Sequence, residues 1–174
     1  NVEGLGAECE KLTEIIQHMV DNAIQILCIQ ETQRRGCNHF LTDCGYLVIL
    51  SGCAEDAEGR VKAGVGFVVA PAARKSIITF HMLNDRLAKL RVKVTGGILD
   101  LWSAYALHSG YPHAIRKDFF DTLTAQWQPP CQHRNTLALA DFNAKLFRRM
   151  PGEEDKIGHF VFECPERQDI SMTN

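Results

Sequence analysis

The chain has 174 residues, 45% of them hydrophobic and 23% charged, with a formal net charge of −2. That length fits one ordinary domain, and folding it buries roughly 70% of the surface of the unfolded chain, so no disulfide or metal staple is needed for a core. The composition excludes a disordered or fibrous chain, and no apolar run reaches the ~18 residues of a membrane span.

The opening Asn1-Val2-Glu3-Gly4-Leu5 has neither a basic start nor an apolar stretch, so it does not read as a secretory signal. Leu12, Ile15, Ile16, Met19 and Val20 recur at helical spacing and predict a helix over 8–22 with one buried face. Ile24-Gln25-Ile26-Leu27-Cys28-Ile29-Gln30 is a short apolar strand that ends at Glu31. Strands follow over 45–50 and 64–70, separated by a turn-rich acidic loop over 51–60. Segments 76–82 and 87–95 are neighbouring strands joined around Asn84-Asp85. In the second, Ala88, Leu90, Val92 and Val94 alternate with Lys89, Arg91 and Lys93, the period of a half-buried strand with a basic outer face. Gly96-Gly97 turns the chain into a strand over 98–106. Pro112 opens a helix over 113–127 with Phe119, Phe120, Leu123 and Trp127 inward, and Gln128-Pro129-Pro130 stops it. A buried strand over 135–140 ends at Asp141-Phe142-Asn143.

Short turns join most of these strands, whereas a doubly wound parallel sheet needs a helix after nearly every strand. The expected architecture is therefore a layered α+β fold with mixed or antiparallel sheets. Phosphate-binding loops of the G-x-x-x-x-G-K-[ST] and G-x-G-x-x-G types do not occur.

Seven cysteines stand at 9, 28, 37, 44, 53, 131 and 164, an odd number with no C-x-x-C. They predict free thiols in a reducing, intracellular compartment, with Cys28 a small core residue. Residues 60–149 hold 14 Lys/Arg against 5 Asp/Glu, while both ends are acidic. This pattern suits either a polyanionic partner or a solvated basic face.

Polar residues at strand ends are the candidates for chemistry: Glu31, then Tyr105 and His108, then Asp141 and Asn143. Gathered at one rim, two carboxylates suit Mg²⁺, which keeps several waters and takes phosphate oxygens from a substrate. Neutral donors beside them would hold those oxygens as charge builds, the needs of phosphodiester hydrolysis. Singly, each residue has an ordinary explanation. Glu31 is then a solvated loop carboxylate, Asp141 and Asn143 an Asx turn, Tyr105 a half-buried strand tyrosine and His108 a loop histidine.

Four segments in order resemble the endonuclease/exonuclease/phosphatase superfamily. Ile26-Leu27-Cys28-Ile29-Gln30-Glu31-Thr32 resembles its strand and metal-binding glutamate, and Ser103-Ala104-Tyr105-Ala106-Leu107-His108-Ser109-Gly110 its catalytic-tyrosine segment. Leu139-Ala140-Asp141-Phe142-Asn143-Ala144 resembles its G-D-F-N-A motif, and Asn1-Val2-Glu3-Gly4-Leu5 its opening N-V-R-G-L strand. Asp85-Arg86-Leu87-Ala88-Lys89-Leu90-Arg91 and Gly152-Glu153-Glu154-Asp155-Lys156-Ile157-Gly158 are most similar to apurinic-endonuclease-like domains of non-LTR retrotransposons.

The resemblance implies a four-layered α/β sandwich over 1–162, followed by a divergent tail over 163–174. It implies that Glu31 binds Mg²⁺ or Mn²⁺ and that Asn1 orders the metal site. Tyr105 would support the attacking group or the phosphate, Asp141 would orient or deprotonate water, and Asn143 would hold a phosphate oxygen. His108 and Arg86 are candidate substrate-binding residues, and His159 a rim residue. DNA is the implied partner, with no membrane and with a nuclear location if genomic DNA is the target. Relatives that cleave phosphoinositides or sphingomyelin keep a lipid substrate open.

Three departures accompany the resemblance. Ala140 stands where the family prefers Gly, Leu107 replaces its usual Pro, and the last motif, Ser-Asp-His with the catalytic histidine, has no counterpart. The domain is therefore expected to be cut at its C-terminus and within its first strand, with poor solubility in isolation. A catalytically impaired remnant that binds nucleic acid or a partner is the alternative expectation.

Overall fold

The computed structural model describes residues 1–6, 9–52, 54–56, 58–59, 61–127, 134–144 and 152. The chain divides into a compact unit Asn1–Asn143 and a second unit Ala144–Asn174. The fold below is that of the first unit. The expected boundary at 162, the 163–174 tail, His159 and the motif after Gly152 lie outside the described residues.

Helix α1 (Lys11–Asp21) is followed by strands β1 (Ile26–Gln30), β2 (Cys37–Leu41), β3 (Leu47–Ser51) and β4 (Val65–Val69). After a 3-10 turn (Arg74–Ser76) come β5 (Ile77–Asn84), β6 (Leu87–Val94) and β7 (Gly97–Tyr105), then α2 (His113–Gln126) and β8 (Arg134–Asp141). The first four strands form one sheet in the order β1-β4-β3-β2, and the last four form another in the order β5-β6-β7-β8. Pairing is antiparallel throughout the first sheet. In the second only β7 and β8 run parallel, and α2 provides the crossover between them.

Three apolar layers explain why the central strands read as continuous hydrophobic runs. Val48, Leu50 and Val68 face Leu12 and Met19 of α1. Their neighbours Ile49, Phe67 and Val69 point the other way and meet Leu90, Val92 and Leu101 of the second sheet. On the far face, Trp102 and Ala104 pack with Phe119 and Leu123 of α2. The result is an α+β sandwich of helix, sheet, sheet and helix. No helix among the described residues is long and apolar enough to cross a membrane.

Several sequence expectations are corrected in detail. Helix α1 starts at Lys11 instead of residue 8, because Cys9 takes left-handed backbone (φ 60°). Val20 is 56% exposed, and Phe120 and Trp127 of the α2 region are also exposed. Phe119 and Leu123, four residues apart, already define the buried face of α2, and Phe120 is one helical step away from it. Strand β2 was not foreseen, since as an edge strand it is mostly exposed and carries no apolar alternation. The basic outer face of β6 is partly neutralised. Arg91 is bidentate on the buried Asp100, and the Lys89 ammonium lies 5.3 Å over the Trp102 ring.

Candidate active site

Strands β1, β7 and β8 finish at one rim of the sandwich, and this brings the strand-end residues together. Glu31 follows β1 in left-handed backbone (φ 58°), unusual for a residue with a side chain. The N-terminal stretch runs beside it. The N–H groups of Val2, Gly4 and Leu5 donate to the carbonyls of Gln30, Glu31 and Thr32 at 2.9, 2.7 and 3.1 Å. Lys11 Nζ ties down the carbonyls of Val2 and Glu3.

This docking delivers the Asn1 side chain to the rim. Its Nδ2 donates to Glu31 Oε1 at 2.5 Å and reaches Asp141 Oδ2 at 3.5 Å. Its Oδ1 accepts the Glu3 N–H at 3.2 Å. Two carboxylates from different sheets thus share one amide nitrogen.

Tyr105 and Asp141 are direct partners in the parallel β7–β8 register. Burial and the nearby Glu31 and Asp141 carboxylates push the Tyr105 phenol up to about 12, against an opposing pull from Arg86. At neutral pH the group is therefore a proton-bearing donor.

Asn143 forms the Asx turn that was its ordinary explanation, with its N–H donating to Asp141 Oδ1 at 2.9 Å. Its side chain also donates to the Ala106 carbonyl at 2.7 Å, while the Ala106 N–H donates to the Asp141 carbonyl at 2.8 Å. The Asp141 turn and the segment after β7 are thereby held as one piece.

The β5–β6 turn reaches the same rim. Arg86 donates through Nη1 to the Tyr105 carbonyl at 3.3 Å, and its guanidinium lies 4.9 Å from the centre of the Tyr105 ring. The same guanidinium is 5.8 Å from the Tyr111 ring. His108 sits at the edge of this group, its ring 4.7 Å from that of Tyr111 and its Nδ1 accepting the Gly110 N–H. His108 makes no hydrogen bond to Glu31, Tyr105 or Asp141.

Supporting residues beneath the rim were missed from sequence. Buried Gln30 donates through Nε2 to Ser103 Oγ at 3.2 Å and to the Leu139 carbonyl at 3.1 Å. Ser103 Oγ donates in turn to the Ile29 carbonyl at 3.0 Å. Polar residues inside the apolar strands Ile-Leu-Cys-Ile-Gln and Leu-Trp-Ser-Ala-Tyr were the available signal, because buried polar groups need partners. Gly64 joins the rim to the β5–β6 turn, with its N–H on the Asp85 carbonyl and its carbonyl receiving the Thr32 N–H. Its φ of 110°, and the Thr32 hydroxyl where a Cβ would sit, make glycine necessary there.

The donor set fits a hard, strongly hydrated cation. Among the described residues no three His, Cys, Asp or Glu cluster as a metal cage. Mg²⁺ does not need one, since one or two carboxylates suffice when waters and substrate phosphate fill the remaining positions. Glu31 and Asp141 are the two carboxylates that would serve such an ion, and the Asn1 amide bridges them.

No family model and no curated protein sequence matches the chain. Among solved structures, the fold is similar to that of an endonuclease/exonuclease/phosphatase family protein from Leptotrichia buccalis C-1013-b. The TM-score is 0.57 at 14% sequence identity, over 83% of this chain and 65% of that one. The chain therefore shares the fold of that protein while spanning 65% of its length.

Proposed function

We propose that this domain is a divalent-metal-dependent phosphodiester hydrolase of the endonuclease type, acting on DNA and derived from a non-LTR retrotransposon. The observation that carries the reading is the Asn1 amide shared between Glu31 and Asp141, with Tyr105 the register partner of that aspartate. In this reading Glu31 holds Mg²⁺ or Mn²⁺, helped by Asp141 and oriented by Asn1. The ion, when bound, offsets phosphate charge and stabilises the leaving oxygen.

Tyr105 keeps its proton and donates to a phosphate oxygen. Asp141, fixed by its turn, orients the attacking water and takes its proton as the phosphorus–oxygen bond to the leaving group breaks. Asn143 stiffens that turn and offers its amide at the rim. Arg86 adds positive charge on the phosphate side. The retrotransposon assignment draws on the sequence at 85–91, and action on genomic DNA would place the protein in the nucleus.

A second reading is a domain that binds nucleic acid without turnover. It is favoured by one observation: among the described residues, no histidine hydrogen-bonds to Asp141 or Glu31 to take the proton from water. Losing one member of a catalytic set typically costs several orders of magnitude in rate.

Nicking of supercoiled plasmid with and without Mg²⁺, for the chain and its Glu31→Ala and Asp141→Ala variants, separates these readings. Metal-dependent nicking lost in both variants is the expected result. Equal activity in all three rejects the site. Salt-dependent DNA binding with no nicking supports the binding domain. A phosphoinositide and sphingomyelin panel tests the lipid alternative.

A further inference from the structure

We propose that Tyr111, flanked by Arg86 and His108, is a stacking platform for the nucleobase beside the phosphate held at the Glu31–Asp141 rim. This rests on the phosphodiesterase reading of that rim and narrows its substrate class to nucleic acid with an unstacked base. Three observations converge.

The Arg86 guanidinium lies close to two tyrosine rings, 4.9 Å from the centre of Tyr105 and 5.8 Å from that of Tyr111. Tyr105 is the register partner of Asp141, and Tyr111 is the second ring beside the same guanidinium. Tyr111 is half-buried and His108 exposed, and their rings meet nearly edge-on at 4.7 Å. The assembly is also held in place. The Tyr111 N–H donates to the His108 carbonyl at 3.1 Å, and Arg116 Nε donates to the Tyr111 carbonyl at 3.2 Å.

The chemistry of this group selects its ligand. Aromatic rings beside a guanidinium offer π faces and a cation together, the pairing that holds single-stranded nucleic acid by base stacking and phosphate contact. A phosphoinositide headgroup has no aromatic ring to stack, and the Arg86 cation at both tyrosine rings repels the quaternary ammonium of phosphocholine. Arg86 uses only Nη1 for a hydrogen bond among the described residues, which leaves Nε and Nη2 for a phosphate. The base platform and the phosphate site are then adjacent, as they are in a nucleotide.

The test uses the full chain in EDTA, so that no turnover occurs. The probe is a short single-stranded DNA carrying 2-aminopurine, compared with the same strand carrying an abasic tetrahydrofuran residue at that position. Wild type is expected to quench 2-aminopurine fluorescence. Tyr111→Ala should bind the base-bearing strand about 5- to 150-fold more weakly. The same variant should bind the abasic strand as wild type does, and Tyr111→Trp should restore the preference. Arg86→Ala should weaken both strands together.

Equal weakening of both strands by Tyr111→Ala, or failure of Tyr111→Trp to rescue, overturns the platform. So does tighter binding of phosphatidylinositol-bisphosphate vesicles than of DNA. The parent reading fails separately, in the nicking assay, if Glu31→Ala and Asp141→Ala leave hydrolysis intact.

Discussion

Gln30 at the end of β1 donates a hydrogen bond to Ser103 on β7 across the interior of the sandwich, 3.2 Å from Nε2 to Oγ. The link joins the two sheets one residue before Glu31, so it sets how the carboxylates of the two sheets meet. Ser103→Ala removes an acceptor from a buried amide and a donor from the Ile29 carbonyl. We expect a loss of about 1–3 kcal/mol in urea unfolding, and weaker Mg²⁺ binding by calorimetry. Unchanged stability and affinity would show that the link is dispensable.

The Arg91–Asp100 pair is expected to contribute to acid stability. Asp100 is buried, and the Arg91 hydrogen bond holds its carboxyl below the usual value. A folded-state pKa below the unfolded value of about 3.9 favours the folded protein at higher pH. The contribution is complete above that unfolded value and is lost as pH falls through the depressed folded one. Asp100→Asn should cost about 2–3 kcal/mol at pH 7 and flatten the acid limb of the stability curve. An acid limb identical to wild type would assign that limb to other carboxylates.

Glu31 occupies left-handed backbone at φ 58°, where a Cβ is costly. Glu31→Gly should therefore be more stable than Glu31→Ala by about 1 kcal/mol, with both equally inactive. Thermal melts of the pair check this directly, and equal melting temperatures would show an unstrained site.

Tyr105→Phe removes one donor and keeps the ring against Arg86. Loss of a donor aimed at developing charge typically lowers turnover about 10²–10³-fold. We expect that fall in the nicking rate with little change in melting temperature. A large loss of stability with the same residual rate would make Tyr105 structural.

Leu137 and Leu139 of β8 are 47% and 40% exposed on the face that looks toward the other sheet. Exposed leucines on a strand with β7 as its one described partner invite association. Leu137→Lys should raise the soluble, monomeric fraction in size-exclusion chromatography. An unchanged elution profile would locate the association surface elsewhere.

The elements with strong periodicity were legible in the sequence. The alternation along 87–95 and the spacing of Leu12 and Met19 reflect burial against a layer, and burial writes itself into residue type. Strand β2 left no such trace, because an exposed edge is held by backbone hydrogen bonds to β3 that any side chain permits. Phe120 and Val20 misled for the opposite reason, since an apolar residue on a small domain is often simply exposed.

For the candidate site, the sequence by itself determined which strand ends carry Glu31, Tyr105, Asp141 and Asn143, because chemistry requires particular side chains. Only the tertiary structure decided that Glu31 and Asp141, 110 positions apart in the numbering, share the Asn1 amide. It also decided that Gln30 and Ser103 brace them from below, and that Arg86 meets the rings of both Tyr105 and Tyr111. Those relationships depend on how two sheets are stacked and on which rim their strands share. Packing fixes both through many weak contacts that are spread over the whole chain and belong to no single motif.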